Sequence, residues 1–153
     1  MTDSAGKDGA GVSLAGVQEL IPHRTPFLFV DRLESWEGGR IVGFRRFTEQ
    51  DFFFKGHFPG YPVVPGVVLI ESMAQCGGAG VRKRGILAPE AIIFLAAVHE
   101  ARFRRPVRPG EEVRMEIEDV KITNRLLKQK GTATVDGVVA AEAEWMALAG
   151  EAK

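Results

Sequence analysis

The chain has 153 residues, 45% of them hydrophobic, which is enough for one sizeable core and about the length of one domain. Its 20 Lys and Arg balance 20 Asp and Glu, so it lacks the global field that holds a protein on nucleic acid or an anionic membrane, and any acidic partner has to be met locally. The single cysteine, Cys76, excludes an internal disulfide and leaves too few thiols for a cysteine-based metal site; it reads as a small buried thiol.

Residues 1–14 are rich in Gly, Ser, Ala and Asp, a composition that cannot offset its own ordering entropy, so a loose tail is expected there. A single domain is expected over 15–153, with the fold beginning near Val17. The first twenty residues lack the apolar core of a signal peptide, and nothing later is apolar for long enough to span a bilayer, so a reducing cytoplasm is the expected location. In IPHRTPFLFVDR, His23 lies between prolines and reads as a residue that ties down a loop by hydrogen bonds. The segment Gly39 to Glu49 follows the turn-prone pair Gly38-Gly39 and reads as a strand.

The stretch Gly56 to Glu71, GHFPGYPVVPGVVLIE, is the most informative. Pro59, Pro62 and Pro65 each fix φ and delete a hydrogen-bond donor, so they make a stiff loop. Pro65 suits the first position of a helix. Gly66 then lets another group approach the backbone where the first N–H groups are unpaired and the dipole is positive, a seat for a developing oxyanion. The run Val67 to Val81 is apolar on nearly every side and predicts a helix buried inside the fold. Its only charge is Glu71. Burying an unpaired carboxylate is costly, so Glu71 either faces a polar gap or keeps its proton. On the stiff loop beside the same helix stands His57, a near-neutral titrating group, and the two together suit general base and general acid. Gln75, one turn beyond, is placed either to orient that carboxyl or to cap another buried polar group. Gly77, Gly78 and Gly80 either end the helix or let a strand pack close.

His99 sits in an expected strand, with no clustered ligands that would make it a metal site. In EVRMEIEDVKIT the apolar parity shifts between Ile117 and Val120, as a β-bulge would cause. Asp136-Gly137 is a two-residue hairpin signal between period-two strands that end near Trp145. One swallowed helix and a long antiparallel sheet make an α+β domain in which the sheet curls round the helix.

LIPHRTPFLFVDR, GHFPGYPVVPGVVLIESMAQ and EARFRRPVRPGEEV resemble the three blocks of the 3-hydroxyacyl-[acyl-carrier-protein] dehydratases of the FabZ type, over about Val17 to Met146. The resemblance implies a hotdog fold, an antiparallel sheet wrapped round a long helix, and a homodimer with a continuous sheet, three dimers often forming a hexamer. It implies dehydration of a (3R)-3-hydroxyacyl thioester to the trans-2-enoyl thioester in fatty acid biosynthesis, His57 and Glu71 meeting from opposite subunits. The backbone at Gly66 and Val67 would polarise the thioester carbonyl. No cofactor is implied, because the phosphopantetheine arm arrives with the substrate. Phe94 stands where the family commonly has a tyrosine thought to gate the acyl tunnel, and His99 where an aspartate is usual. An acidic acyl carrier protein would find Arg102, Arg104, Arg105 and Arg108 on one stretch with no acid among them. The same arginines equally suit a solvated strand face or pairing with Glu111-Glu112. Rival readings are the FabA-type dehydratase-isomerase, against which Glu71 argues because aspartate is typical there, a hotdog thioesterase, and a non-catalytic acyl-binding module.

Overall fold

The computed structural model describes residues 11–151. In chain order the elements are α1 (Leu14–Leu20), β1 (Arg32–Ser35), β2 (Arg40–Arg46), a short 3-10 turn (Phe52–Lys55), α2 (Gly66–Lys83), β3 (Ile92–Phe103), β4 (Glu112–Ile122), β5 (Leu126–Val135) and β6 (Val138–Gly150). The strands form one antiparallel sheet in the order β1-β2-β4-β5-β6-β3, curled round α2 as expected.

The sheet's inner face follows the period-two pattern. Val113, Met115 and Ile117 are buried, and the ladder shifts register between Asp119 and Lys121. That bulge turns Val120 out, 49% exposed, so of the two residues after the shift only Ile122 packs against the core. Asp136 and Gly137 both have positive φ, as a type I′ turn requires, and Val135 faces Val138 across it.

Two boundaries differ from expectation. Val12 exchanges main-chain hydrogen bonds with Leu33 and Ser13 caps α1, so the ordered chain reaches into the segment expected to be loose. Residues 1–10 of that tail lie outside the described residues. Pro65 is the N-cap of α2 and Gly66 its first residue, because the extended ψ of 137° at Pro65 precedes the helical turn.

Glycine does not end α2. The helix runs on to Lys83 because Gly77, Gly78 and Gly80 are points of close approach: a Cβ on Gly80 would lie 2.6 Å from Ile41 on β2, and one on Gly77 2.2 Å from the Gln129 side chain on β5. The few polar residues of α2 also have work inside. The extended segment before β1 runs along the helix, and Ser72 donates to the Phe29 carbonyl (2.6 Å) while the Phe29 N–H donates to Gln75 (2.8 Å). Buried main-chain groups are thus satisfied by helix side chains. Cys76 is buried, and burial pushes its thiol up to about 12, so it is inert packing.

Candidate active site

His57 follows the Phe52–Lys55 turn, whose rings Phe53 and Phe54 are anchored in the core. Its Nδ1 lies 3.1 Å from the carbonyl oxygen of Val63. A carbonyl only accepts, so Nδ1 carries the hydrogen and Nε2 keeps its lone pair. The ring is therefore held in the tautomer of a base. Phe58 stacks on it at 4.3 Å between centroids.

Glu71 lies on the second turn of α2 with its side chain 24% exposed. Gln75 donates to Glu71 Oε2 at 2.9 Å, donates to the Phe27 carbonyl at 3.0 Å and accepts from Phe29, so it orients the carboxyl and caps buried backbone at once. A narrow, mainly apolar slot opens beside Glu71, lined by Ile21, His23, Gly78, Ile93, Leu95 and Ala147 among others. His57 is not among its lining residues, and no hydrogen bond or ion pair joins His57 to Glu71 within the chain.

His23 corrects the reading from sequence. Its ring ties down no loop; that is done by Arg24, whose guanidinium donates to the carbonyls of Gln18, Ile21 and His23. The His23 ring instead stands in the slot with Nε2 3.7 Å from Glu71 Oε2. The sequence carried one signal of this: His23 is fenced by Pro22 and Pro26 much as His57 is fenced by glycine and proline.

At the start of α2, Gly66 and Val67 line a shallow cavity with Phe103, Arg104 and Arg105. The group that approaches Gly66 within the chain is the Phe103 ring, which a Cβ would meet at 2.7 Å. The N–H groups of the first two helical residues have no acceptor among the described residues, whereas that of Val68 bonds Pro65. Phe94 faces away from the slot. Strand alternation puts its neighbours Ile93 and Leu95 on the slot side, and Phe94 pairs with exposed Leu148 on the outer face, 56% exposed. His99 is exposed on the same strand, opposite Glu144.

Each of the four arginines has a partner. Arg105 makes a two-pronged contact with Glu111 (2.7 and 3.1 Å), as the pairing alternative anticipated, and this holds the Glu111 carboxyl below its ordinary range. Arg108 donates to the Tyr61 hydroxyl at 2.8 Å, Arg104 pairs with Glu142, and Arg102 lies 3.4 Å from Glu100. Arg102 and Arg104 stay more than half exposed, at 59% and 53%.

Comparison with known proteins bears on the family and the fold. Residues 21–144 match the family model described as a FabA-like domain. The chain is 44% identical over 137 residues to the 3-hydroxyacyl-[acyl-carrier-protein] dehydratase FabZ of Hydrogenobaculum sp., covering 88% of this chain and 93% of that one. It is 44% identical over 142 residues to the enzyme of the same name from Bacillus cereus, covering 90% and 95%. Among solved structures, the dehydratase heterocomplex ApeI:P from Xenorhabdus doucetiae superposes with a TM-score of 0.76 at 17% identity, over 88% of this chain and 91% of that one, and so shares the fold. With the motif residues His57 and Glu71 both in place and the relatives matched almost end to end, the chain belongs to the FabZ-type 3-hydroxyacyl-[acyl-carrier-protein] dehydratases.

Proposed function

We propose that the chain dehydrates (3R)-3-hydroxyacyl-[acyl-carrier-protein] to the trans-2-enoyl thioester in fatty acid biosynthesis, at a site completed by a second copy of the chain. The observation that carries it is the His57 tautomer: Nδ1 is occupied by the Val63 carbonyl, so Nε2 is the free base. Nε2 removes a proton from the carbon next to the thioester carbonyl. The N–H groups of Gly66 and Val67 meet the negative charge that develops on the carbonyl oxygen. As the carbon–carbon double bond forms, the carbon–oxygen bond at C3 breaks, and Glu71 passes its proton to the departing hydroxyl, which leaves as water. Proton transfer from His57 back to Glu71, directly or through solvent, resets the site. No cofactor takes part in these steps; the phosphopantetheine arm comes with the substrate.

A homodimer is supported by β3, a twelve-residue edge strand that exposes Phe94, Leu95, Val98 and Phe103. A long apolar edge pairs with another strand, and β3 against its own copy would continue the sheet. Such pairing gives His57 a route to the partner's Glu71 that a single chain does not offer. Phe94, on the outer face, reaches an acyl chain only across such an interface. The hexamer, as three of these dimers, rests on the family resemblance alone. Arg102 and Arg104, both more than half exposed, are the residues proposed to steer the acidic carrier protein.

Mixing inactive His57→Ala and Glu71→Ala chains tests the shared site. Random exchange makes half the dimers hybrid, each with one native and one doubly altered site, so about a quarter of wild-type activity returns. Well-exchanged hybrids that stay inactive overturn the proposal.

A further inference from the structure

His23 is the one titratable side chain in the slot that the chemistry above leaves without a task. It stands 3.7 Å from the Glu71 oxygen that Gln75 also contacts, with the two side chains 27% and 24% exposed. Its Nδ1 is buried and has no hydrogen-bond partner among the described residues. A hydrogen on Nδ1 would be a buried donor without an acceptor, whereas a hydrogen on Nε2 faces Glu71, so the Nε2–H tautomer is the one the surroundings favour. Two charged groups act on the ring: Glu71 from α2 raises its proton affinity, and Arg24 beside it lowers it. The slot residues from the other elements packed there, Ile93 and Leu95 of β3 and Ala147 of β6, are uncharged. Burial is the largest influence and depresses the ring's proton affinity, so near pH 7 His23 is a neutral N–H donor, not the cation of an ion pair.

Resting on the assignment of Glu71 as the acid, we infer that His23 is a positioning residue that acts through it: with Gln75 it brackets Oε2, leaving Oε1 as the oxygen that carries the transferred proton. When that proton leaves, the new charge on Oε2 is met by two N–H donors already in place. Their interaction is stronger in the transition state than before it, so the effect falls on kcat. At 3.7 Å the contact is still longer than a hydrogen bond, and contacts of this kind tighten when substrate fills the site.

The test compares His23→Ala, His23→Gln and Glu71→Gln as full-length dimers on a carrier-bound 3-hydroxyacyl substrate. His23→Ala is expected to lower kcat about tenfold, the worth of one hydrogen bond to a charged group, with KM within about twofold. His23→Gln places an amide N–H where Nε2 was and is expected to recover most of the loss. Separately, nitrogen NMR of the His23 ring in wild type is expected to show the neutral Nε2–H tautomer near pH 7, because Nδ1 is buried without a partner among the described residues and Nε2 faces Glu71. Full kcat in His23→Ala, or equal losses in the Ala and Gln variants, overturns the inference. If His23→Ala fails to fold, an Nδ1–H tautomer or a cationic ring near pH 7 in wild type overturns it instead. Glu71→Gln that keeps its turnover would mark a different failure, that of the acid assignment itself.

Discussion

Replacing Gln75 by Met keeps the length and volume of the side chain and removes its polar atoms. Three interactions go: the hydrogen bonds to the Phe29 N–H, the Phe27 carbonyl and Glu71 Oε2. Phe27 is 46% exposed and its carbonyl can turn to water, but Phe29 is fully buried, so its N–H loses its only acceptor. An orphaned buried donor costs about 1–3 kcal/mol. For a domain of this size that lowers Tm by about 2–12 °C, measured at one fixed protein concentration. The catalytic loss is separate. A hydrogen bond to a charged group contributes about 1.5–3 kcal/mol, so releasing Glu71 lowers kcat about 10- to 150-fold. Thermal unfolding reads the first effect, and the absorbance of the enoyl thioester formed from a short 3-hydroxyacyl substrate reads the second. A lower Tm with kcat within twofold of wild type would mean that Gln75 serves only the backbone of the Phe29 segment. An unchanged Tm would refute the accounting of the buried N–H.

Arg102→Glu combined with Arg104→Glu should raise KM for carrier-bound substrate and leave turnover of a short pantetheine thioester nearly intact; equal losses on both would end the docking proposal. Phe94→Ala should change the ranking of short against long acyl chains if the partner's tunnel reaches it, and an unchanged ranking would place Phe94 outside the tunnel. The Glu111 carboxyl is held below its ordinary range chiefly by its hydrogen bond with Arg105, so as pH falls the unfolded chain takes up this proton first. The stabilisation is present above the ordinary value of 4.5 and fades as pH drops below it towards the lowered folded value. Arg105→Gln should therefore flatten the acid side of the Tm-against-pH curve, and identical curves would show that the pair contributes nothing.

What was legible in the sequence was what local physics decides. Helix α2 announced itself because its apolar residues leave no strand-like alternation. The β5–β6 hairpin did so through Asp136-Gly137, where positive φ is needed at both positions. The base stood out because prolines and glycines mark a shaped loop whatever the loop meets. What could not be read was set by contacts between distant segments. His23 and Glu71 are 48 residues apart, and only the run of the chain along α2 brings them together. The dual task of Gln75 depends on the same run. Phe94 was read by family position, and one residue of strand parity puts it on the other face from the slot. The glycines of α2 were ambiguous because a glycine that ends a helix and one that admits a neighbour look alike until the neighbour is known.

Those glycines also bear on the order in which the molecule takes shape. Three of them in the interior of an eighteen-residue helix cost roughly 3 kcal/mol of helical preference relative to alanine. A helix of this length is marginal in water even with a favourable sequence. The segment around Glu71 therefore has little tendency to coil before Ile41 and Gln129 are there to fill the space the glycines leave. The β4, β5 and β6 strands, joined by short turns, can pair through near neighbours in the chain, and the helix condenses on the surface they provide. A nascent or partly opened chain thus holds its acid on an unformed helix, and competence for chemistry arrives only with the closed sheet.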